Sequence, residues 1–260
     1  MEIKVKKEHF KRCSQTVEKK IKIGKYTIYA FKDYYKLIGR TPVGIFKEGT
    51  ITTNRILFNL GKGIRLEVTA NAIRKIFSQE RALFYGMMCG DGFISIEGKR
   101  RQYLIGLENG HKEVVSLFSE VINKIYGIKT HVNKRKNKDS YGVYISNKDI
   151  VLDYLKDPAR LSSFVWEIPS QYLDKQGLKE FVKGIFSTDG GVYVKDKKDS
   201  CIYLGSVNLE GLNELKEILD KHFGIKSFIK NEHYYVGGQK KLFYRLVISG
   251  KTNILKFIEE

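Results

Sequence analysis

The sequence predicts an α+β fold in which two pseudo-symmetric αββαββα repeats follow a small β-rich N-terminal extension. Three observations predict it. An apolar helical pattern ending in Asp-Gly occurs twice, through Arg81 to Asp91-Gly92 and through Leu178 to Asp189-Gly190. Each copy runs on into a short alternating stretch of strand character, Phe93 to Glu97 and Val192 to Asp196. A Gly-Ile-Lys triplet then stands at Gly127, 36 residues after Asp91, and again at Gly224, 35 residues after Asp189, a spacing that marks a duplicated unit.

The elements follow in chain order. Residues 1–78 match neither copy; the alternating runs Tyr26 to Phe31, Thr50 to Leu57 and Ile64 to Val68 predict short strands, closed by a helix near Thr69 to Phe77. The first repeat, 79–175, continues past its motif helix and strands with helical spacing over Glu113 to Tyr126, a strand at Tyr141 to Ser146 and a last helix at Asp149 to Leu155. Pro158 and Pro169 make Asp157 to Ser170 a natural linker. The second repeat, 176–260, repeats the order with a helix at Leu212 to Phe223, a strand at Phe243 to Ser249 and a helix at Asn253 to Ile258. Each Gly-Ile-Lys triplet falls where a helix ends and a strand begins. With 42% hydrophobic and 12% aromatic residues over 260 positions, the chain has enough apolar material for a sizeable core.

The formal charge of +18 points to a polyanionic partner. No apolar run approaches a membrane span, and the Lys-rich first twenty residues lack the apolar stretch of a signal peptide, so nucleic acid inside the cell is expected rather than a membrane. Residues 1–78 carry 18 Lys and Arg against 6 Asp and Glu, two thirds of the excess, which reads as a basic arm that widens a DNA footprint or as the solvated surface of a Lys-rich thermophilic protein. Cys13, Cys89 and Cys201 lie far apart with no paired spacing, which argues against a zinc site or a disulfide framework. No complete Gly-x4-Gly-Lys-Ser/Thr phosphate loop is present, since Arg245 stands where Gly250-Lys251-Thr252 would need its leading glycine, and little supports a small-ligand or phosphate-transfer enzyme.

The chemistry concentrates in the two Asp-Gly helices. Gly86 and Gly90 lie four apart on one helix face, as do Gly184 and Thr188. An interior Gly costs about 1 kcal/mol relative to Ala, so paired small residues need a reason, and close helix contact supplies one. Packed through those faces, the helices bring Asp91 and Asp189 side by side at their C-termini. There the helix dipoles and mutual repulsion both disfavour two carboxylates, and divalent cations relieve both. Oxygen ligands suit Mg²⁺ or Mn²⁺, which can activate water and stabilise the leaving oxygen in phosphodiester hydrolysis. A single Asp-Gly is an ordinary helix cap leading into a turn; two in the same surroundings are not. The calcium loop of an EF-hand is excluded by spacing.

Both segments resemble the motif that names the LAGLIDADG family, and the resemblance covers roughly residues 80 to 260. It implies that Asp91 and Asp189 are the metal-binding, catalytic acids and that Gly86, Gly90, Gly184 and Thr188 are the helix-packing positions. Cys89 and Ser187 replace an acid, and Thr188 is bulkier than the usual residue. The family implies a monomer with a β-saddle over the major groove of double-stranded DNA, and metal-dependent cleavage of both strands by a homing endonuclease. In that architecture the hairpins carry positive charge, and all four are basic: Lys99-Arg100-Arg101 with Gln102, Lys134-Arg135-Lys136 with Lys138, Lys195 with Lys197-Lys198, and Lys240-Lys241. Tyr103, Tyr141, Tyr144 and Tyr203 are further candidates for base or sugar contact, and Asn109, Lys175 and Ser206 are candidate auxiliary groups for orienting water. The alternative is a non-cleaving DNA- or RNA-binding protein on the same fold, an intron maturase or a regulator. The chain does not read as a complete intein, since no nucleophile opens it and no His-Asn pair closes it.

Overall fold

The computed structural model describes residues 19–23, 25–31, 34–39, 42–46, 49–51, 55–69, 73–97, 102–136, 138–156, 165–194, 200–236 and 239–259. Two compact units divide the chain, Met1–Ser78 and Gln79–Glu260.

The first unit is built from strands alone among its described residues. Strands β1 (Lys19–Ile23), β2 (Tyr26–Ala30), β3 (Tyr35–Ile38) and β4 (Pro42–Phe46) form one antiparallel meander, and β5 (Gly49–Ile51), β6 (Arg55–Gly61), β7 (Ile64–Thr69) and β8 (Ile73–Phe77) form another. Alternation turns Ile28, Leu37 and Phe46 of one and Ile56, Phe58, Leu66 and Val68 of the other into a shared core, with Phe46 and Phe58 stacked at 4.3 Å. Two expectations are corrected. Thr50 to Leu57 is split between β5 and β6, and the helix expected near Thr69 to Phe77 is β8. A helix of the nine expected residues would be marginal, whereas β-branched Ile73 and Ile76 pair readily with β7, Val68 opposite Ile73 and Arg65 opposite Ile76. Glu67 of β7 meets Arg55 of β6 at 3.2 Å and Arg74 of β8 at 2.5 Å, so its nearly buried carboxylate is paired with charge from both neighbouring strands.

The second unit is α+β and consists of two αββαββα repeats. In the first, α1 (Gln79–Cys89), β9 (Gly92–Glu97), β10 (Gln102–Asn109), α2 (Lys112–Tyr126), β11 (Asn133–Lys134), β12 (Tyr141–Ser146) and α3 (Lys148–Leu155) follow in order. In the second the order is α4 (Lys175–Asp189), β13 (Gly190–Val194), β14 (Ser200–Ser206), α5 (Leu209–Phe223), β15 (Ser227–Val236), β16 (Gln239–Ser249) and α6 (Lys251–Glu259). The sheets run β9-β10-β12-β11 and β13-β14-β16-β15, the same order of equivalent strands, antiparallel throughout.

Local chemistry sets the helix ends. Asn147, Asp174 and Asn208 cap α3, α4 and α5 through side-chain oxygens that accept backbone N–H bonds. Gly127 and Gly224 take left-handed φ of 69° and 65° at the ends of α2 and α5, which explains why each triplet begins with Gly. One face of each sheet packs on helices through Ile105, Leu107, Val143 and Ile145, or Ile202, Leu204, Leu246 and Ile248, all buried. In the first repeat the contact between α1 and α3 is charged: fully buried Arg81 meets Asp153 at 3.0 Å, Tyr126 donates to the same carboxylate at 3.1 Å, and Tyr85 stacks on Tyr154 at 4.9 Å. The second repeat brings Phe186 against Phe257 instead, at 4.7 Å. Among the described residues no helix is long and apolar enough to cross a membrane. The linker expected from Asp157 to Ser170 lies outside the described residues up to 164; beyond them Trp166 is buried, its carbonyl accepts from Asn208 at 2.7 Å, and a 3₁₀ turn at Ser170–Tyr172 leads into α4.

Candidate functional site

The two motif helices pack directly on each other, and glycine makes this possible. A Cβ on Gly86 would overlap the Phe181 carbonyl oxygen and stand 3.0 Å from the Gly184 Cα, while one on Gly184 would overlap the Leu83 carbonyl oxygen. Neither neighbour is a side chain that can swing away, so the close approach depends on hydrogen at both positions. One turn on, Gly90 faces Thr188 across the seam. The Thr188 hydroxyl is satisfied within its own helix, donating to the Ile185 carbonyl at 2.9 Å, so it packs as a small side chain.

Beyond these contacts the chain delivers two acids. Asp189 is the last residue of α4; Asp91 lies two residues past the end of α1, in the turn into β9. The Asp189 carboxyl carbon lies 3.2 Å from where a Cβ on Gly90, the neighbour of Asp91, would stand. Asn109, at the end of β10, donates its amide to Asp91 at 2.6 Å and accepts the His111 backbone N–H at 2.7 Å, which fixes the amide orientation. Burial raises the Asp91 carboxyl above its ordinary value, and the Asn109 bond opposes this. Burial, and after it the charge of Asp91, push Asp189 from 3.8 up to about 7. The pair is a half-buried anionic site with oxygen donors only. Among the described residues no cluster of three or more His, Cys, Asp or Glu surrounds it, so a cation here would draw its other ligands from water or a bound phosphate.

The remaining candidates divide by position. Ser206 of β14 stands where Asn109 stands in β10, because Leu107 pairs with Gly92 and Leu204 with Gly190, but its hydroxyl accepts the Asn208 backbone N–H at 3.1 Å. Lys175 opens α4, fourteen residues from Asp189 and thus roughly 21 Å along the axis, with its ammonium 5.8 Å from the Phe223 ring; it is not brought to the acids. Alternation sorts the strand residues. Gln102, Tyr144 and Tyr203 lie on the open sheet faces away from the helices, whereas Tyr103 and Tyr141 point to the helix side, under Lys148 at 5.5 Å and Lys134 at 5.9 Å. Lys134 shares that side, while Arg135 reaches the open face, where its guanidinium donates to Glu108. Lys136 and Lys138 are exposed in the turn before β12. Lys240 and Lys241 sit inside β16 rather than at the turn, and the Lys241 side chain is exposed. Lys99, Arg100, Arg101, Lys195, Lys197, Lys198 and the side chain of Lys240 lie outside the described residues.

Glu108, Glu232 and Arg245 also stand on the open faces and were not singled out from the sequence. The signal was present: in Phe243 to Ser249 the residues 243, 245, 247 and 249 alternate with the buried Leu246 and Ile248, which places Arg245 on the opposite face.

Comparison with known proteins agrees on the fold. Residues 80–165 match a family model described as the WhiA LAGLIDADG-like domain, and residues 177–260 match one described as the LAGLIDADG-like domain. Two proteins of Methanocaldococcus jannaschii are each similar over 70% of this chain: a probable translation initiation factor IF-2, 29% identical over 195 residues, and a replication factor C small subunit, 26% identical over 188. This chain spans only 15% and 9% of their lengths. Among solved structures, mesophilic variants of the homing endonuclease I-DmoI align with a TM-score of 0.51 at 16% identity, covering 70% of this chain and 93% of that one. I-DmoI in complex with DNA and Ca aligns with the same score and identity over 70% and 87%. At such identity the likeness is one of fold.

Proposed function

The chain belongs to the LAGLIDADG family, and from that premise we propose that it is a site-specific DNA endonuclease of the homing type, which cuts both strands of its target with divalent metal held by Asp91 and Asp189. One observation carries the reading: acids from opposite repeats meet at the end of a glycine seam, where burial and repulsion raise the titration of one of them to about 7. A fold has no structural use for such a pair, and hard divalent cations fit its oxygen-only donors. When bound, Mg²⁺ or Mn²⁺ supplies an activated water and neutralises the leaving oxygen.

The protein's own groups prepare the site. Asn109 orients the Asp91 carboxylate, Asp189 would hold a cation as its carboxylate with the proton passing to solvent, and the open sheet faces offer polar and basic side chains to duplex DNA. Residues 1–78, a basic unit ahead of repeats 79–175 and 176–260 in the chain, add positive charge for a polyanion. Two further findings support the reading: I-DmoI has been solved with DNA and Ca, and a variant of it with its target DNA in the presence of Mn, and two stretches that each cover 70% of this chain must overlap, so the same segment recurs in proteins named for unrelated tasks, as expected of a mobile element.

The match of residues 80–165 to the WhiA domain model favours a second reading, a non-cleaving DNA-binding regulator, or a maturase acting on intron RNA. One experiment separates them. The purified chain with Mg²⁺ is expected to linearise members of a plasmid library carrying random sites, and Asp91→Asn or Asp189→Asn to bind the recovered sites without cutting. A wild-type protein that binds selected sites tightly and never nicks them would leave only the second reading.

A further inference from the structure

The open face of each sheet carries one arginine, one glutamate and one tyrosine in contact. In the first repeat Arg135, just past β11, donates to Glu108 of β10, and Tyr144 of β12 donates to the other oxygen of the same carboxylate at 2.7 Å. In the second, Arg245 of β16 meets Glu232 of β15 at 3.0 Å, and its guanidinium lies 4.4 Å over the ring of Tyr203 on β14. Each group spans three adjacent strands.

The second group is not a duplicate of the first. Gly142 pairs with Asn133 and Arg245 pairs with Lys230, so in the aligned strands Glu232 stands where Arg135 stands, and Arg245 where Gly142 stands. Equivalent positions carry opposite charges, yet the same three side-chain types come together. Inheritance from a duplicated ancestor does not give that result. Stability does not account for it either, because these side chains keep about a third of their surface exposed and such ion pairs contribute little.

A guanidinium has five donors in a rigid fork, and the glutamate uses only part of it. The Arg245 Nε is buried, so the N–H groups left to face the groove are those of its terminal nitrogens. A fork held at one end by a carboxylate and presenting its other N–H groups from a groove-sized sheet matches the O6 and N7 acceptors of guanine in the major groove. The carboxylate also cancels the charge that would draw a free arginine to any phosphate, which weakens binding to wrong sequences. We propose that Arg135 and Arg245 each read a guanine, one in each half of the target, and that Glu108 and Glu232 hold them for it. Because the two arginines occupy non-equivalent positions, the two guanines stand at unequal distances from the centre.

This rests on the reading of the open faces as a duplex-DNA surface, and the test separates the two. Duplexes are selected from a randomised pool by the full chain in EDTA, so that bound DNA is recovered uncut. The wild type is expected to enrich a guanine in each half. Arg135→Lys keeps the charge and loses the fork; it should reduce the preference at one guanine by roughly 5- to 100-fold and leave the other half unchanged, which also shows that the variant is folded. Arg245→Lys should do the converse, and Glu108→Gln and Glu232→Gln should broaden the same positions. A consensus that both lysine variants leave intact overturns the inference while DNA recognition stands. No enrichment by the wild type overturns the DNA reading and this inference with it.

Discussion

Replacing Asp189 by Asn should make the metal-free protein more stable, and increasingly so as the pH rises. In the folded chain Asp189 titrates at about 7 rather than 3.8, because it is buried and faces Asp91. The folded state therefore holds a proton between those values that the unfolded state has lost, and stability falls as the pH rises through that window. Below about pH 4 both states are protonated and no penalty exists; above about 7 it is complete. Three pH units at about 1.4 kcal/mol each set the full penalty at about 4 kcal/mol, of which about 2.5 kcal/mol develops between pH 5 and pH 8. The carboxyl keeps some contact with solvent, so the observed change should lie at or below that figure. Asn fills the same space and does not titrate. Urea unfolding of wild type and Asp189→Asn in EDTA at pH 5, 6, 7 and 8 reads the difference directly, since every other titrating group is common to both. Added Mg²⁺ should stabilise the wild type at pH 8 and the variant much less. A difference between the proteins that stays constant with pH would refute the reasoning, because it would mean that the carboxyl is neither desolvated nor opposed by Asp91.

Other perturbations probe the scaffold. Gly184→Ala places a methyl on the Leu83 carbonyl oxygen, and the helices can accept it only by separating; a loss of about 3 kcal/mol or more in chemical denaturation is expected, with cutting lost as well. Asp153→Asn removes the carboxylate that buried Arg81 meets at 3.0 Å and should cost about 1.5 to 3 kcal/mol in the same assay. Asn109→Ala removes the bond that favours the charged form of Asp91; the rising limb of the pH–cleavage profile should move to higher pH and more Mg²⁺ should be needed for half-maximal cutting, and a profile identical to wild type would remove Asn109 from the site.

The sequence by itself determined the duplicated fold, because the information was local and present twice. Two Asp-Gly helices, two Gly-Ile-Lys helix ends and the strand alternation after each fix element type and order with no knowledge of long-range contacts. The small residues at 86, 90, 184 and 188 even implied which helix faces meet, since steric need for glycine is written in the residue itself. Tertiary structure decided the rest. Ile73–Phe77 became a strand because β7 offered it an edge, a partner that no local pattern announces. Tyr103, Tyr141 and Lys134 turned to the helix side because a single step of register exchanges the two faces of a strand. Lys175 lies at the far end of a 15-residue helix from Asp189. Asn109 came to Asp91 across eighteen positions of chain, and Glu108 came to Arg135 across twenty-seven. Such pairings are properties of packing: the free energy that selects them resides in burial and charge shared between distant segments, which exists only once the chain has closed on itself.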